Sequence, residues 1–184
     1  MSSTVDLFLL GDSGVGLTSL KTRFADDMFL LDTPSTITVE FKEKKLEIDG
    51  EMVQVRVWEV TGQTKSVPVR SSYIKKADGV ICVFSLENSN SFDEIEFWIN
   101  FAKENAIEGT PIYLVGNKAD IAITLKDRIE ELIERLGLRY FKVSAKTGEN
   151  VEKVFTEIAR DALRVKRAKE VNLQQPEEQT NKCF

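Results

Sequence analysis

Residues 5–18 read VDLFLLGDSGVGLT, and this stretch decides the fold. The apolar run from Val5 to Leu10 has the length of a buried strand, and a loop with glycines at positions 11, 14 and 16 follows it directly. A helix is predicted after Gly16. A strand, a glycine-rich turn and a helix in this order are typical of an α/β domain with a parallel sheet.

The alternation of strands and helices continues along the chain. Strand-length apolar runs recur at Gly79 to Phe84 and at Pro111 to Val115. The last helix is predicted from one apolar face, formed by Val151, Val154, Phe155, Ile158, Ala159, Ala162 and Leu163. A second helix is predicted from the stripe Ile129, Leu132, Ile133 and Leu136, and a third from the capping box Ser91 to Glu94 before Ile95 and Ile99. We interpret these stripes as core.

One pair of strands is predicted to depart from the parallel pattern. The runs Phe41 to Ile48 and Val53 to Val60 flank Asp49-Gly50. This dipeptide is typical of a two-residue hairpin turn. We therefore expect an antiparallel hairpin at one edge of the sheet.

Composition limits the number of domains and the available chemistry. With 184 residues, of which 42% are hydrophobic, the chain suffices for one well-cored domain and is too short for two. We expect this domain at residues 1–168 and a flexible tail at residues 169–184, because the ending NLQQPEEQTNKCF is polar and lacks periodicity. The net charge of -5 disfavours a nucleic-acid partner, and the absence of histidine excludes imidazole metal sites and histidine-dependent catalysis.

Cysteine usage and hydropathy favour a cytoplasmic protein. Cys82 lies inside an apolar run and Cys183 lies next to the last residue, so no disulfide framework is indicated. No apolar stretch approaches the roughly 18 residues that span a bilayer, and no basic segment precedes the first apolar run. Secretion and membrane insertion are not expected.

The loop at residues 11–18 fits a phosphate-binding pattern. Its sequence GDSGVGLT matches GxxxxGK[ST] at every fixed position except the lysine, which Leu17 replaces. In such a loop the backbone N–H groups point inward around phosphate oxygens, and a hydroxyl at the position of Thr18 is offered to magnesium. The alternative is a glycine-rich turn that binds no ligand.

Two later loops predict guanine recognition. Residues 116–120 read GNKAD and residues 143–146 read VSAK, and both fit the carboxyl ends of parallel strands, where open sheets bind ligands. The carboxylate of Asp120 can accept two N–H bonds from guanine, a donor pair that adenine does not present. Lys118 can lie along the base plane, while the N–H of Ala145 meets the guanine oxygen.

With these motifs in order, residues 4–168 resemble a Rab-type small GTPase of the Ras superfamily. The resemblance implies an α/β fold with a phosphate-binding loop, a mostly parallel six-stranded sheet, one antiparallel edge hairpin and helices on both faces. It also implies that the protein binds GTP or GDP with Mg2+. The implied nucleotide-binding residues are Ser13, Gly14, Val15, Gly16, Leu17, Thr18, Ser19, Phe29, Thr36, Gly62, Asn117, Lys118, Asp120, Ser144, Ala145 and Lys146.

The resemblance also assigns catalytic, metal and partner residues. Residues 58–63, WEVTGQ, match the family's WDTAGQ, with Gln63 orienting the attacking water, Gly62 at the γ-phosphate and Thr36 sensing that phosphate. The implied magnesium ligands are Thr18, Thr36 and Glu59. The aromatics through which Rab proteins meet effector and regulator proteins correspond to Phe41, Trp58 and Tyr73, for which ordinary core is an equal alternative.

Three departures from the family pattern fall on the phosphate and magnesium side. Leu17 replaces a lysine, Glu59 replaces an aspartate, and Val60-Thr61 replaces Thr-Ala. Loss of the lysine should weaken nucleotide binding by roughly ten- to a few hundredfold and should slow hydrolysis. Lys21 lies one helical turn after Leu17 and would have to double back to reach phosphate, so a solvated or snorkelling lysine is the favoured interpretation.

The ending Asn181-Lys182-Cys183-Phe184 is neither a paired-cysteine ending nor a CaaX box. Cys183 either carries one lipid, which would attach the protein weakly to the periphery of an intracellular membrane, or is unmodified. We expect a monomer that hydrolyses GTP slowly and acts as a switch in vesicle traffic. The alternative is a pseudo-GTPase, a binding module with weak or no nucleotide turnover.

Overall fold

Strands and helices alternate along residues 3–31, 41–61, 67–121 and 125–174, which the computed structural model describes. The strands in these ranges are β1 (Ser3–Gly11), β2 (Phe41–Ile48), β3 (Glu51–Thr61), β4 (Gly79–Ser85), β5 (Ile112–Asn117) and β6 (Arg139–Lys142). The helices are α1 (Leu17–Asp26), α2 (Val67–Ile74), α3 (Ser89–Asp93), α4 (Ile95–Asn105), α5 (Lys126–Leu136) and α6 (Val151–Gln174). The predicted α/β class is confirmed.

The six strands form one sheet in the order β2-β3-β1-β4-β5-β6. β1 runs parallel to β3 and β4, and β5 runs parallel to β4 and β6. β2 runs antiparallel to β3, and the turn between them has positive φ at both Asp49 and Gly50, 52° and 83°. Such a turn twists in the same sense as its strands, so the predicted edge hairpin is confirmed.

Alternate residues of the central strands face two separate layers of helices. In β1, Leu7 and Leu9 pack in the core shared with α1 and α6, whereas Phe8 and Leu10 pack in the core shared with α2, α4 and α5. Burial of both faces explains why these strands are nearly continuous apolar runs. The predicted stripe of the last helix is buried along its whole length, from Val151 to Leu163.

The predicted capping box near residue 91 is wrong. The N-cap of α3 is Asn88, whose side chain accepts a hydrogen bond from the N–H of Asn90 at 3.0 Å. The hydroxyl of Ser91 instead donates to the carbonyl of Asn88 at 2.7 Å and accepts from the N–H of Ser85 at 2.9 Å. Ser91 therefore links α3 to the end of β4. A local sequence pattern such as a capping box does not predict this contact.

The last helix continues past the predicted domain boundary at residue 168 and ends at Gln174. Lys166 and Lys169 hold this part of α6, because their ammonium groups donate to the carbonyls of Thr4 and Glu108 at 2.9 and 3.1 Å. Tertiary contacts of this kind extend a helix beyond its apolar stripe. Residues 175–184 lie outside the described part of the chain.

The helices and the buried cysteine of the described residues bear on membrane spanning and on thiol reactivity. Among them, no helix combines the length and the apolar character that crossing a bilayer requires. Cys82 is buried in β4, and this burial raises the pKa of its thiol to about 12. The thiol therefore stays protonated at neutral pH and serves as a core side chain.

Candidate functional site

The loop between β1 and α1 contains two glycines with positive φ, at positions where the predicted phosphate-binding loop has glycine or any residue. Gly14 and Gly16 have positive φ angles of 83° and 95°, which favour glycine. Gly16 is also the N-cap of α1, so the first turn of this helix, with the positive end of its dipole, begins at this loop. A negatively charged ligand would therefore meet backbone N–H groups and the positive end of the helix.

Asn117 ties this loop to the two predicted base-reading loops. Its side-chain nitrogen donates to the carbonyl of Val15 at 2.9 Å, and its side-chain oxygen accepts from the N–H of Ala145 at 3.1 Å. A Cβ atom at Gly16 would lie 2.5 Å from the same nitrogen, so only glycine fits there. The predicted contact between the Ala145 N–H and a guanine oxygen would have to share this donor with Asn117.

The side chain of Asp120 is oriented by Ser144. The Ser144 hydroxyl donates to Oδ1 of Asp120 at 2.6 Å and holds the pKa of this carboxyl below its ordinary value. Asp120 is exposed, so an ionised acceptor faces solvent at the carboxyl ends of β5 and β6. Lys118 adopts a positive φ of 67°, and its ammonium lies 3.0 Å from Oε2 of Glu87. The structure thus brings the predicted base-reading residues together.

Arg23 is a site residue that the sequence pattern did not reveal. From α1, its guanidinium donates to the carbonyls of Ala145 and Lys146, each at 2.8 Å. It also donates to the carbonyl and the carboxylate of Asp27, each at 2.9 Å. Arg23 therefore holds the loop after β6 against α1. Its sequence signal is a cation near a helix C-terminus, which the helix dipole explains equally well.

The side chain of Leu17 points into the interior. It is 4% exposed and belongs to the core cluster that contains Val15, Leu20 and Phe24. At this position a lysine would bring a charge to the loop, and Leu17 brings none. A phosphate at this loop would therefore meet no side-chain cation from position 17, unlike in the family pattern.

Two of the predicted magnesium ligands, Thr18 and Glu59, contact each other. The ammonium group of Lys21 lies beside Glu59. The hydroxyl of Thr18 donates to Oε1 of Glu59 at 3.0 Å. The ammonium of Lys21 lies 3.2 Å from Oε2 of Glu59, and these two side chains are only 5% and 1% exposed. Lys21 is thus neither solvated nor snorkelling, contrary to the expectation from the sequence.

This arrangement does not fit a magnesium ion. Magnesium requires near-octahedral oxygen ligands at about 2.0 to 2.1 Å. One oxygen of Glu59 accepts from a hydroxyl and the other faces an ammonium, which would repel a divalent cation at the same carboxylate. Within the described ranges, no group of three histidine, cysteine, aspartate or glutamate side chains could hold a metal. Magnesium would reach Glu59 only if Lys21 moved away.

The three aromatics of the predicted partner surface form one group around Phe8. The rings of Phe41 and Trp58 face each other across the hairpin with centroids 4.6 Å apart, and Trp58 stacks on Phe8 at 5.7 Å. Tyr73 contacts the same Phe8 ring at 6.4 Å. Phe41 is 43% exposed, whereas Trp58 and Tyr73 are half-buried against the core. The aromatic group therefore reaches from the core, at Phe8, to the protein surface, at Phe41.

Several predicted residues lie elsewhere or outside the described part of the chain. Phe29 is half-buried against the core that contains α1 and α6. Ser13, Gly14 and Lys146 are exposed, and Ser19 is half-buried. The predicted residues outside the described ranges are Thr36, Gly62, Gln63 and Cys183.

Comparison with known proteins gives one family. A Ras family model matches residues 6–164. Ras-related protein Rab-13 from Mesocricetus auratus is 39% identical over 160 residues, which cover 85% of this chain and 79% of the relative. Ras-related protein Rab-10 from Diplobatis ommata is 36% identical over 167 residues, covering 89% and 84%. GTP-binding protein yptV2 from Volvox carteri is 35% identical over 163 residues, covering 86% and 75%.

Proposed function

The chain belongs to the Ras family of small GTPases and is Rab-like, and from this premise we propose that it binds GTP and GDP and hydrolyses GTP slowly. The observation that carries the proposal is the Asp120 carboxylate oriented by the Ser144 hydroxyl, beside Asn117, which bonds to Val15 and Ala145. An ionised carboxylate at the ligand-binding edge of the sheet suits guanine, which presents two N–H donors on one edge.

The phosphates would be held mainly by the backbone of residues 13–19. Positive φ at Gly14 and Gly16 bends this backbone, and α1 starts at Leu17 with its positive end toward the loop, which supports contacts between loop N–H groups and phosphate. Because Leu17 adds no charge, we expect affinity roughly ten- to a few hundredfold below that of a lysine-containing loop. Phe29 and Lys118 would flank the base.

Slow hydrolysis follows from what the sequence keeps and what it lacks. The catalytic residues implied by the resemblance, Thr36, Gly62 and Gln63, are all present. The lysine that would stabilise charge developing between the β- and γ-phosphates is absent. Magnesium, which supplies the same stabilisation when bound, would need Thr18, Thr36 and Glu59, and Glu59 is already paired with Lys21.

A role as a Rab-type switch in vesicle traffic is part of the same proposal. Effector and regulator proteins would meet the surface of Phe41, Trp58 and Tyr73, where Phe41 is exposed. We further propose a monomeric cytoplasmic protein of one domain, attached peripherally to an intracellular membrane if Cys183 carries a lipid.

One observation favours the second candidate, a pseudo-GTPase that binds nucleotide without measurable turnover. The Lys21–Glu59 ion pair occupies Glu59, one of the three residues to which the family pattern assigns magnesium. Without a metal and without the loop lysine, neither source of strong charge stabilisation acts on the transition state. The fold and the guanine selectivity would be the same in both candidates.

The test is to denature the purified full chain and identify the released nucleotide, then to measure single-turnover hydrolysis of added GTP. Release of GDP or GTP, with ATP unable to displace it, supports guanine binding. Release of an adenine nucleotide, or failure to bind added GDP, overturns the proposal. Slow but measurable turnover selects the first candidate, and its absence selects the second.

A further inference from the structure

A buried lysine stands beside the two residues at which the family pattern places a divalent cation. Lys21 is 4% exposed as a whole residue, and lysine is rarely buried unless it is paired with an opposite charge. Its ammonium lies 3.2 Å from Oε2 of Glu59, and the hydroxyl of Thr18 occupies the other carboxylate oxygen at 3.0 Å. The charge of Glu59 is therefore compensated from within the protein.

The alternation of side chains along β3 and the turn of α1 both direct this pair to the contact between the strand and the helix. In β3, Glu59 shares the face of Val55 and Val57, which packs in the core that contains α1. In α1, Lys21 follows Leu17 by one turn and precedes the buried Phe24, so it lies on the helix face that packs against the sheet. The ion pair is thus built into the contact between α1 and β3 and is not a flexible surface contact.

The contact is mainly one of charge. Within the described residues, Oε2 of Glu59 is buried and has no hydrogen-bond donor, so its negative charge is balanced by the nearby ammonium and not by a well-aligned hydrogen bond. A buried carboxylate left without a counterion is strongly unfavourable. Lys21 therefore cannot leave Glu59 unless another cation arrives, and while it stays it repels such a cation.

We infer that the Lys21 ammonium is the resident cation of this site, so that guanine nucleotide binds to this protein without requiring magnesium. The inference rests on the proposed guanine-binding function. Because Lys21 and Glu59 neutralise each other, they exclude the metal without supplying its net positive charge to the phosphates. Nucleotide affinity is then set by the base-reading loops and the backbone of the first loop, and neither depends on free magnesium.

The experiment compares the Kd of a fluorescent GDP analogue in excess magnesium and in excess EDTA for the full chain and three variants. Lys21→Met removes the charge and keeps the apolar stem. Lys21→Met combined with Glu59→Asp restores the carboxylate length of the family pattern. The matched control is Lys166→Met, which removes a lysine paired with Asp78 at the opposite end of the sheet. All variants are purified with GDP and magnesium, so that a cation is available.

For the wild type and for Lys166→Met we expect the two Kd values to agree within about threefold. For the Lys21 variants we expect EDTA to raise the Kd at least about tenfold, since Glu59 then needs a metal. Electron paramagnetic resonance of added Mn2+ gives a direct second measurement: the wild-type GDP complex leaves the ion free, and the Lys21 variants bind it.

The wild-type measurements decide the question even if the Lys21 variants do not fold. A tenfold or larger loss of wild-type affinity in EDTA, or Mn2+ bound to the wild-type GDP complex, overturns the inference alone. Equal metal dependence of wild type and folded Lys21→Met also overturns it. Absence of GDP binding under both conditions in every protein overturns the proposed function, and the inference with it.

Discussion

In the proposed base-reading loops, Ser144 bonds to Asp120, Asn117 bonds to Val15 and Ala145, and Arg23 holds the loop after β6 against α1. We call residues 11–21 together with Glu59 the phosphate side. Its glycine-rich turn matches the family pattern, but its charged side chains are arranged differently from that pattern. Leu17 is buried in the core, and Glu59 is paired with Lys21. The two sides meet at Asn117, whose side chain contacts both.

This difference indicates that selectivity and affinity for a nucleotide can be separated within one fold. Selectivity for a base depends on a few directed hydrogen bonds, and the residues proposed to make them, Lys118 and Asp120 among them, are present. Affinity for phosphate and the rate of its transfer depend on positive charge, and in the proposed phosphate-binding loop Leu17 brings none while Lys21 is paired with Glu59. The protein should therefore recognise guanine well, hold the phosphates moderately and catalyse poorly.

The largest effect is expected for Asp120→Asn. This variant tests whether the loops at residues 116–120 and 143–146, the base side, recognise guanine through the Asp120 carboxylate. Replacing two charge-assisted acceptor contacts by a donor should cost about 3 kcal/mol or more, at least a hundredfold in GDP affinity, and should favour xanthine nucleotides. Competition binding with GDP, XDP and ADP measures both shifts. Asp127→Asn, an exposed change in the first turn of α5, should behave as wild type. Equal wild-type affinity for ATP and GTP would contradict the guanine assignment.

The junction of the two sides is tested by Asn117→Ala. This change leaves the carbonyl of Val15 and the N–H of Ala145 without partners in a buried place, so unfolding free energy should fall by about 2 to 4 kcal/mol. Urea unfolding of the nucleotide-bound protein measures this loss. In the control Asn105→Ala, one side-chain bond at the end of α4 is removed, and the loss should stay below about 1 kcal/mol. Similar losses in both variants would show that Asn117 does not couple the loops.

The sequence predicted the fold better than it predicted the charges of the site. Strands, the last helix and the Asp49-Gly50 hairpin depend on local periodicity and on one turn dipeptide, so short segments contain the necessary information. The pairing of Lys21 with Glu59 joins residues of α1 and β3, and its form depends on which faces the sheet and helix turn toward each other. Arg23 bonds to backbone carbonyls, which have no residue-type signature.

A smaller effect, opposite in sign, is expected for Leu17→Lys on the phosphate side. Restoring the charge should tighten GDP binding by about 1.5 to 3 kcal/mol and raise the hydrolysis rate, because the glycines and Thr18 still shape the loop. Leu17→Met is the matched neutral control, since it keeps the side-chain volume in the core cluster, and should change the Kd by less than about threefold. Unchanged affinity in a folded Leu17→Lys protein would mean that the loop is arranged differently from the family pattern.

The smallest difference is expected between the GDP and GTP forms of the unmodified protein, and it would show how far the weakened phosphate side limits switching. A ligand shifts a conformational equilibrium only by its differential affinity for the two states. To move the switch loops from mostly open to mostly closed, the binding free energies for the two states must differ by about 5.5 kcal/mol. The side chain of Leu17 brings no cation to the γ-phosphate, and Lys21 pairs with the carboxylate to which the family pattern assigns magnesium, so we expect much of this difference to be missing. We expect hydrogen exchange in peptides covering residues 30–40 and 61–76 to differ by less than about fivefold between GDP and a non-hydrolysable GTP analogue. Peptides from β5 should exchange equally in both forms and serve as the internal control. Strong protection from hydrogen exchange with the GTP analogue alone, at low magnesium and without a partner protein, would show a competent switch. The phosphate side would then be as functional as the base side, contrary to our interpretation.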